Sequence, residues 1–181
     1  MIAYNSIWLQ HVRIQQETRV AEKKRLLLPE EAANIKQAFP SSFYTPDFFI
    51  RTGLFILTYV IMSFSFGLLS LLSVRDIEKS LGMLFFIFAV GCFSALEYTI
   101  RVKRHYQSGI DDALLYGGVI ALMAGIYIAF EPGNQVTYVL TFVITAFCTI
   151  RYVDMLVAAV CYLSLLLFIF DAITTGSVIF K

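Results

Sequence analysis

The feature that most limits what this chain can fold into is a succession of long, almost uncharged apolar runs. It extends from the late forties to about residue 170. A helix needs about 20 mostly apolar residues to cross the hydrocarbon core of a bilayer, because each residue rises only about 1.5 Å. Thr45-Pro46-Asp47 reads as a helix start: a capping hydroxyl, a proline at the first position and a carboxylate behind it. It opens a run from Phe48 to Ser73 that is broken only by Arg51 among charged residues. Arg51 lies one turn inside the boundary, and its long stem predicts that the charge snorkels outward. Spans are predicted over about 49–73, 81–100, 113–130, 136–150 and 153–170. The cluster Arg75-Asp76-Ile77-Glu78-Lys79 separates the first two, and Glu131-Pro132-Gly133-Asn134 forms a turn before the fourth. The last two spans are short, so a locally thinned bilayer or a re-entrant hairpin stands as the alternative to two full crossings.

Composition agrees. The chain of 181 residues is 59% apolar and 15% charged, with mean hydropathy +0.75, whereas a soluble domain has about 45–50% and 25%. A soluble enzyme, a disordered tail, collagen and a disulfide-stapled secreted domain are excluded. The fold class expected is an all-α integral membrane protein, with a short N-terminal helical hairpin over 1–45 and a bundle of about five transmembrane helices over 46–181. Cys92, Cys148 and Cys161 all fall inside apolar runs, an odd number that argues for small apolar fillers rather than a disulfide framework. Met1 to Trp8 lacks the basic region and long apolar stretch of a signal peptide.

Residues 1–45 have a different character. Ile7, His11, Ile14 and Ala21 recur at helical steps, with Asn5 and Ser6 as possible caps. Pro29 breaks the pattern, and Glu30-Glu31 behind it mark a second helix that runs through Ala32, Ile35 and Phe39 to Pro40. This pair has too small a core to stand alone and is expected to lean on the membrane or a partner. Trp8 could anchor the first helix on lipid headgroups or pack between the two helices.

The distribution of basic residues sets the expected orientation. With the N-terminus in the cytoplasm, eleven of the 14 Lys and Arg residues lie inside: Arg13, Arg19, Lys23, Lys24, Arg25, Lys36, Arg51, Arg101, Lys103, Arg104 and Arg151. Arg75, Lys79 and Lys181 lie outside. This split follows the positive-inside rule. Five spans leave the C-terminus outside, and a sixth span beginning near Val178 in a longer parent chain is a further expectation.

Two patterns inside the membrane carry chemistry. In the third span Ala113, Gly117, Ala121, Gly125 and Ala129 recur at every fourth position, and in the fourth Thr137, Thr141, Thr145 and Thr149 do the same. Lipid offers no hydrophobic drive between helices, so close approach over small residues is what holds them together. The short link predicts an antiparallel pair with the threonine row packed on the Gly/Ala row. Hydroxyls bonded back within their own helix, or lining a wet pathway, are the competing readings. The second pattern is ionic: Glu97, Arg101, Asp111, Asp112, Arg151 and Asp154 all fall at the predicted cytoplasmic ends of spans two to five. Such a polar cluster is either a structural ion-pair belt or a site for an ion or small solute. Tyr98, Tyr106, Tyr116 and Tyr152 fall at the same boundary, as in an interfacial aromatic belt.

Catalysis is disfavoured. His11 and His105 are the only histidines, so a two-histidine metal motif cannot be written, and there is no nucleophile elbow or phosphate-cradling glycine loop. The E-x-x-x-R spacing of Glu97 and Arg101 has none of the further glutamate and histidines that membrane-embedded proteases require. His105 reads as an interfacial loop residue. No cofactor, no metal site and no nucleic-acid partner is expected, and the partners expected are the lipid bilayer, a further copy or another membrane subunit.

The stretch Glu22-Lys-Lys-Arg-Leu-Leu-Leu-Pro-Glu-Glu-Ala-Ala-Asn-Ile35, just ahead of the first span, resembles the N-terminal helical pair of bacterial multi-pass membrane proteins of unknown function. That resemblance implies a bacterial inner-membrane protein with a cytoplasmic head, and it transfers no catalytic or ligand-binding residue. The function expected is a non-enzymatic scaffold or accessory subunit, with a small transporter or channel subunit as the alternative.

Overall fold

The computed structural model describes residues 6–40, 43–44, 46–71 and 77–179. The expected caps Asn5 and Thr45, and the Arg75-Asp76 pair, lie outside these residues. Seven helices follow one another: α1 (Ser6–Lys23), α2 (Pro29–Ala38), α3 (Phe48–Leu71), α4 (Ile77–Arg101), α5 (Ile110–Phe130), α6 (Asn134–Tyr152) and α7 (Met155–Ile179). Among the described residues the one extended pairing is an isolated bridge between Tyr44 and His105. Helices α3 to α7 are each long and apolar enough to cross a membrane. The protein is an all-α, multi-pass membrane protein.

The last two helices are longer than the apolar runs that predict them. α6 has 19 residues and α7 has 25, about 28 and 37 Å of helix, and a full crossing needs about 30 Å. The difference arises because polar Asn134, Gln135, Arg151 and Tyr152 continue α6 beyond its apolar stretch. Val178, expected to begin a sixth span, belongs to α7.

Local chemistry explains the hairpin of α1 and α2. Arg25 takes a left-handed backbone (φ 57°). Its N–H donates to the Glu22 carbonyl at 3.0 Å, and Leu26 N–H donates to Ala21 at 3.0 Å, the reversal that ends many helices. Pro29 opens α2, and the Glu31 carboxylate accepts the Leu28 N–H at 2.9 Å, tying down one of the orphan donors of a helix start. The hairpin leans on the bundle. Trp8 meets Phe43 edge-on at 5.4 Å, Phe43 lies 5.6 Å from Tyr106, and the Arg104 guanidinium sits 4.8 Å above the Trp8 ring. Trp8 therefore packs within the protein, against the chain that leads into α3 and the α4–α5 loop, instead of in the headgroups or between α1 and α2. Further along α1, His11 Nδ1 donates to the Pro40 carbonyl at 2.7 Å and Arg19 reaches Asp47 at 3.6 Å. We call this the head end of the bundle.

The spans divide into two groups. α5 packs along α4 and against α3, whereas α6 packs on α7, and contact between the groups is sparse. The small residues of α5 explain the first group. The Cα of Gly118 faces Cys92 and Phe93, Gly125 faces Phe85 and the Gly82 carbonyl, and Ala129 faces Gly82, all on α4. Gly117 instead faces the Met62 side chain of α3. The expected packing of the threonine row on the Gly/Ala row does not occur. Steps of four drift about 40° around the helix each time, so the α5 row is shared between α3 and α4 and little of it remains for α6. Thr137, Thr141, Thr145 and Thr149 each donate to the carbonyl four residues back, at 2.6 to 3.1 Å. Thr141 also approaches the Met123 sulfur at 3.8 Å.

Gly109 precedes α5 with φ +90°, and a Cβ there would collide with the Arg51 carbonyl oxygen of α3. Only glycine permits both the backbone conformation and the close approach. Gly109→Ala is expected to cost about 3 kcal/mol from strain and clash together. The melting temperature in detergent should then fall by several degrees. Gly117→Leu combined with Gly125→Leu should leave no folded monomer, and a double variant that melts with the parent would contradict the packing of α5.

Candidate functional site

The alternation of five spans brings the ends of α4 and α6 and the starts of α3, α5 and α7 to the head end. All six candidate charges lie there, in four separate groups. In the last turn of α4, Arg101 Nε donates to Glu97 Oε2 at 2.9 Å, the pairing expected of residues one turn apart. The other oxygen of Glu97 faces α6. Oε1 accepts Arg151 Nε at 2.7 Å and the Tyr152 hydroxyl at 3.0 Å. Glu97 therefore binds the α3–α5 group to the α6–α7 group.

Asp112 forms the second group. Its Oδ2 accepts Arg51 Nε at 3.0 Å and Nη2 at 2.6 Å. Arg51 does not snorkel away from the protein. The start of α3 rests on Gly109, and the guanidinium turns inward to a carboxylate already placed in the first turn of α5, where the helix dipole favours it. In the third group Asp111 Oδ1 accepts the Ser108 N–H at 2.8 Å and the Ser108 hydroxyl at 2.9 Å. His105 Nδ1 lies 2.9 Å from the same hydroxyl. With the hydroxyl proton given to Asp111, His105 supplies the donor to Ser108. The serine is thus oriented toward its carboxylate and away from the imidazole, the reverse of an activated nucleophile.

Asp154 is the fourth. It caps α7: Oδ1 accepts the Val157 N–H at 2.9 Å, which satisfies an orphan donor of the helix start. Its Oδ2 accepts the Tyr116 hydroxyl from α5 at 3.0 Å, a second bond between the two groups of helices. Arg151 and Asp154, three apart in sequence, do not pair with each other. Between them Val153 takes a left-handed backbone (φ 53°), so the two side chains diverge toward α4 and α5. Tyr116 and Tyr152 are directed inward onto carboxylates instead of into an interfacial belt, whereas Tyr98 is exposed. Arg51, Ser108, Gly109, Tyr116 and Tyr152 belong to the site without having been singled out for it from the sequence. The Ser108-Gly109 pair ahead of two aspartates is the signal that could have marked the loop, where Gln107 and Gly109 take positive φ.

Beneath the polar groups Leu96, Leu115, Cys148, Tyr152 and Val157 form an apolar core drawn from four helices. Every buried side-chain nitrogen and oxygen among the described residues has a hydrogen-bond partner. A cavity of about 10 Å³ lies among Tyr106, Asp111, Asp112, Tyr152 and Asp154, room for about one water. Among the described residues no group of His, Cys, Asp and Glu is arranged to hold a metal ion. Tyr106 lies in the α4–α5 loop, outside the spans. Burial raises its phenol above the ordinary value, Asp111 and Asp112 add to this and Arg51 opposes it. No protein-family model, curated protein or solved structure matches the chain.

These contacts make a double-mutant cycle informative. Removing one partner of a buried ion pair strands the other, at about 3–5 kcal/mol, whereas replacing both by apolar groups is often near neutral. The Glu97–Arg151 pair is half-buried and Glu97 would keep Arg101 and Tyr152, so Arg151→Met is expected to lower the melting temperature by a few degrees. Adding Glu97→Leu to it should restore part of the loss, because the carboxylate that had lost its α6 guanidinium is gone as well. Val153→Gly is expected to raise the melting temperature slightly, since a β-branched residue is strained at positive φ.

Proposed function

We propose that the protein is a non-enzymatic scaffold or accessory subunit of a bacterial inner membrane, with its N-terminal hairpin and head end in the cytoplasm. The observation that carries this reading is the internal pairing of the head-end charges. A solute site needs polar groups turned to a permeant, and here each carboxylate and each guanidinium of the cluster has a protein partner. The threonine hydroxyls of α6, which a wet pathway would use, are bonded to their own helix. The cavity among these paired charges has room for about one water.

The outer surfaces support the same reading. Almost all of α3 and most of α7 face outward, with Phe64, Leu68, Leu163 and Phe170 exposed. These are apolar faces of the kind that lipid or another transmembrane helix covers. The basic residues concentrated at the head support a cytoplasmic N-terminus.

The test has two arms on the full chain. Photo-crosslinkers at Phe64 and Phe170 in native membranes should give adducts of discrete protein mass, and adducts with lipid alone would count against a subunit role. A thermal screen of ions and small solutes should give no shift that depends on Glu97 or Asp154. A ligand at a hundredfold excess over its Kd stabilises by about 2.7 kcal/mol, several degrees in a chain of this size. Such a shift, abolished by Glu97→Gln or Asp154→Asn, would replace the scaffold with a transporter.

A further inference from the structure

We propose that the tip of the α1–α2 hairpin, Lys23 to Leu28, is a binding surface for anionic lipid headgroups of the leaflet on the head side. Its placement comes from two fixed points on α1. Near its start, Trp8 packs on Phe43 and beneath Arg104 of the α4–α5 loop. Near its end, Arg19 pairs with Asp47 at 3.6 Å. Asp47 directly precedes Phe48 and Phe49, which are exposed at the start of the first apolar span, so Asp47 lies at the hydrocarbon boundary. The last turn of α1 is therefore held at the depth of the headgroups. α1 ends at Lys23, four residues or about 6 Å of helix beyond Arg19, and the chain reverses at Arg25, so the tip stays within about one Debye length of the lipid surface.

The chemistry of the tip fits that position. Lys23, Lys24 and Arg25 are exposed and adjoin Leu26 and Leu28, which are 73% and 64% exposed. Two of the three acidic residues nearby are engaged, Glu22 with Lys36 at 3.2 Å and Glu31 with the Leu28 N–H, so exposed Glu30 offsets only part of the charge of Lys23, Lys24 and Arg25. Arg25 occupies the left-handed position where glycine is the ordinary choice, and the reversal there turns the leucines out beside the three charges. Cations set against exposed aliphatic side chains match the boundary between phosphate and acyl chain. Each basic residue near an anionic surface adds to the attraction, and the attraction is screened by salt.

The experiment follows amide hydrogen exchange of residues 20–28 in the full-length protein, in nanodiscs of phosphatidylcholine alone or with about 30% phosphatidylglycerol. Exchange in the tip should slow by at least about tenfold in the anionic discs, given three charges at the surface. Raising salt to about 0.5 M should remove the difference. K23Q/K24Q/R25Q should abolish it while leaving the amides around Trp8 and Val12 unchanged, which shows that the hairpin is still docked. L26S/L28S should weaken it. Equal exchange in both discs would overturn the proposal. So would equal slowing by soluble inorganic polyphosphate added to phosphatidylcholine discs, which would assign the surface to a soluble anion.

Discussion

The structure depends on how a carboxylate at the end of α4 is neutralised. Glu97 lies where water gives way to hydrocarbon, and there an unpaired charge is expensive. Its neighbour on the same helix, Arg101, is largely exposed and supplies one partner. The other partners, Arg151 and Tyr152, come from α6. Because α5 spends its small residues on α3 and α4, the two groups of helices have little other means of cohesion. Glu97 and the Tyr116–Asp154 bond join them at the head end, over an apolar core that includes Leu96 and Cys148. A polar bond in low dielectric is strong once made and costly when broken, so a few contacts can determine how the groups are arranged.

The same economy shapes the rest of the head. Asp112 holds the start of α3 through Arg51, Gly109 lets the two backbones meet, and Asp154 both caps α7 and receives Tyr116. These side chains do two things each: they neutralise a charge or finish a helix, and they join one element to another. This double use explains why the space among these side chains is so small. The N-terminal hairpin rests on this assembly through Trp8 and Arg19.

Much of this was legible in the residues. Hydropathy alone places five spans, and alternation of direction then brings Glu97, Arg101, Asp111, Asp112, Arg151 and Asp154 to one end. The starts at Pro29 and at Asp111-Asp112 follow from proline geometry and the helix dipole. What remained hidden depends on the rotation of each helix about its axis. The residues of Arg51 suggest a charge escaping to water, and only the nearness of Asp112 makes an inward turn better. The threonine row and the glycine row are each regular, but regularity along one helix says nothing about which neighbour it meets. Tyr116 and Tyr152 look like belt residues until the carboxylates they reach are known. The ends of α6 were hidden for a simpler reason: polar residues remain helical beyond the apolar stretch.

The head-end bonds of Glu97 and Asp154 hold the two groups of helices in one arrangement. Pulsed electron resonance tests it most directly, with spin labels at Ile120 on α5 and Leu163 on α7 in a background whose native cysteines are replaced. A single narrow distance distribution is expected in the otherwise unaltered chain. It should broaden in a Glu97→Gln, Asp154→Asn variant, while a label pair confined to α4 and α5 remains narrow. An α5–α7 distribution that stays equally narrow in that variant would contradict it.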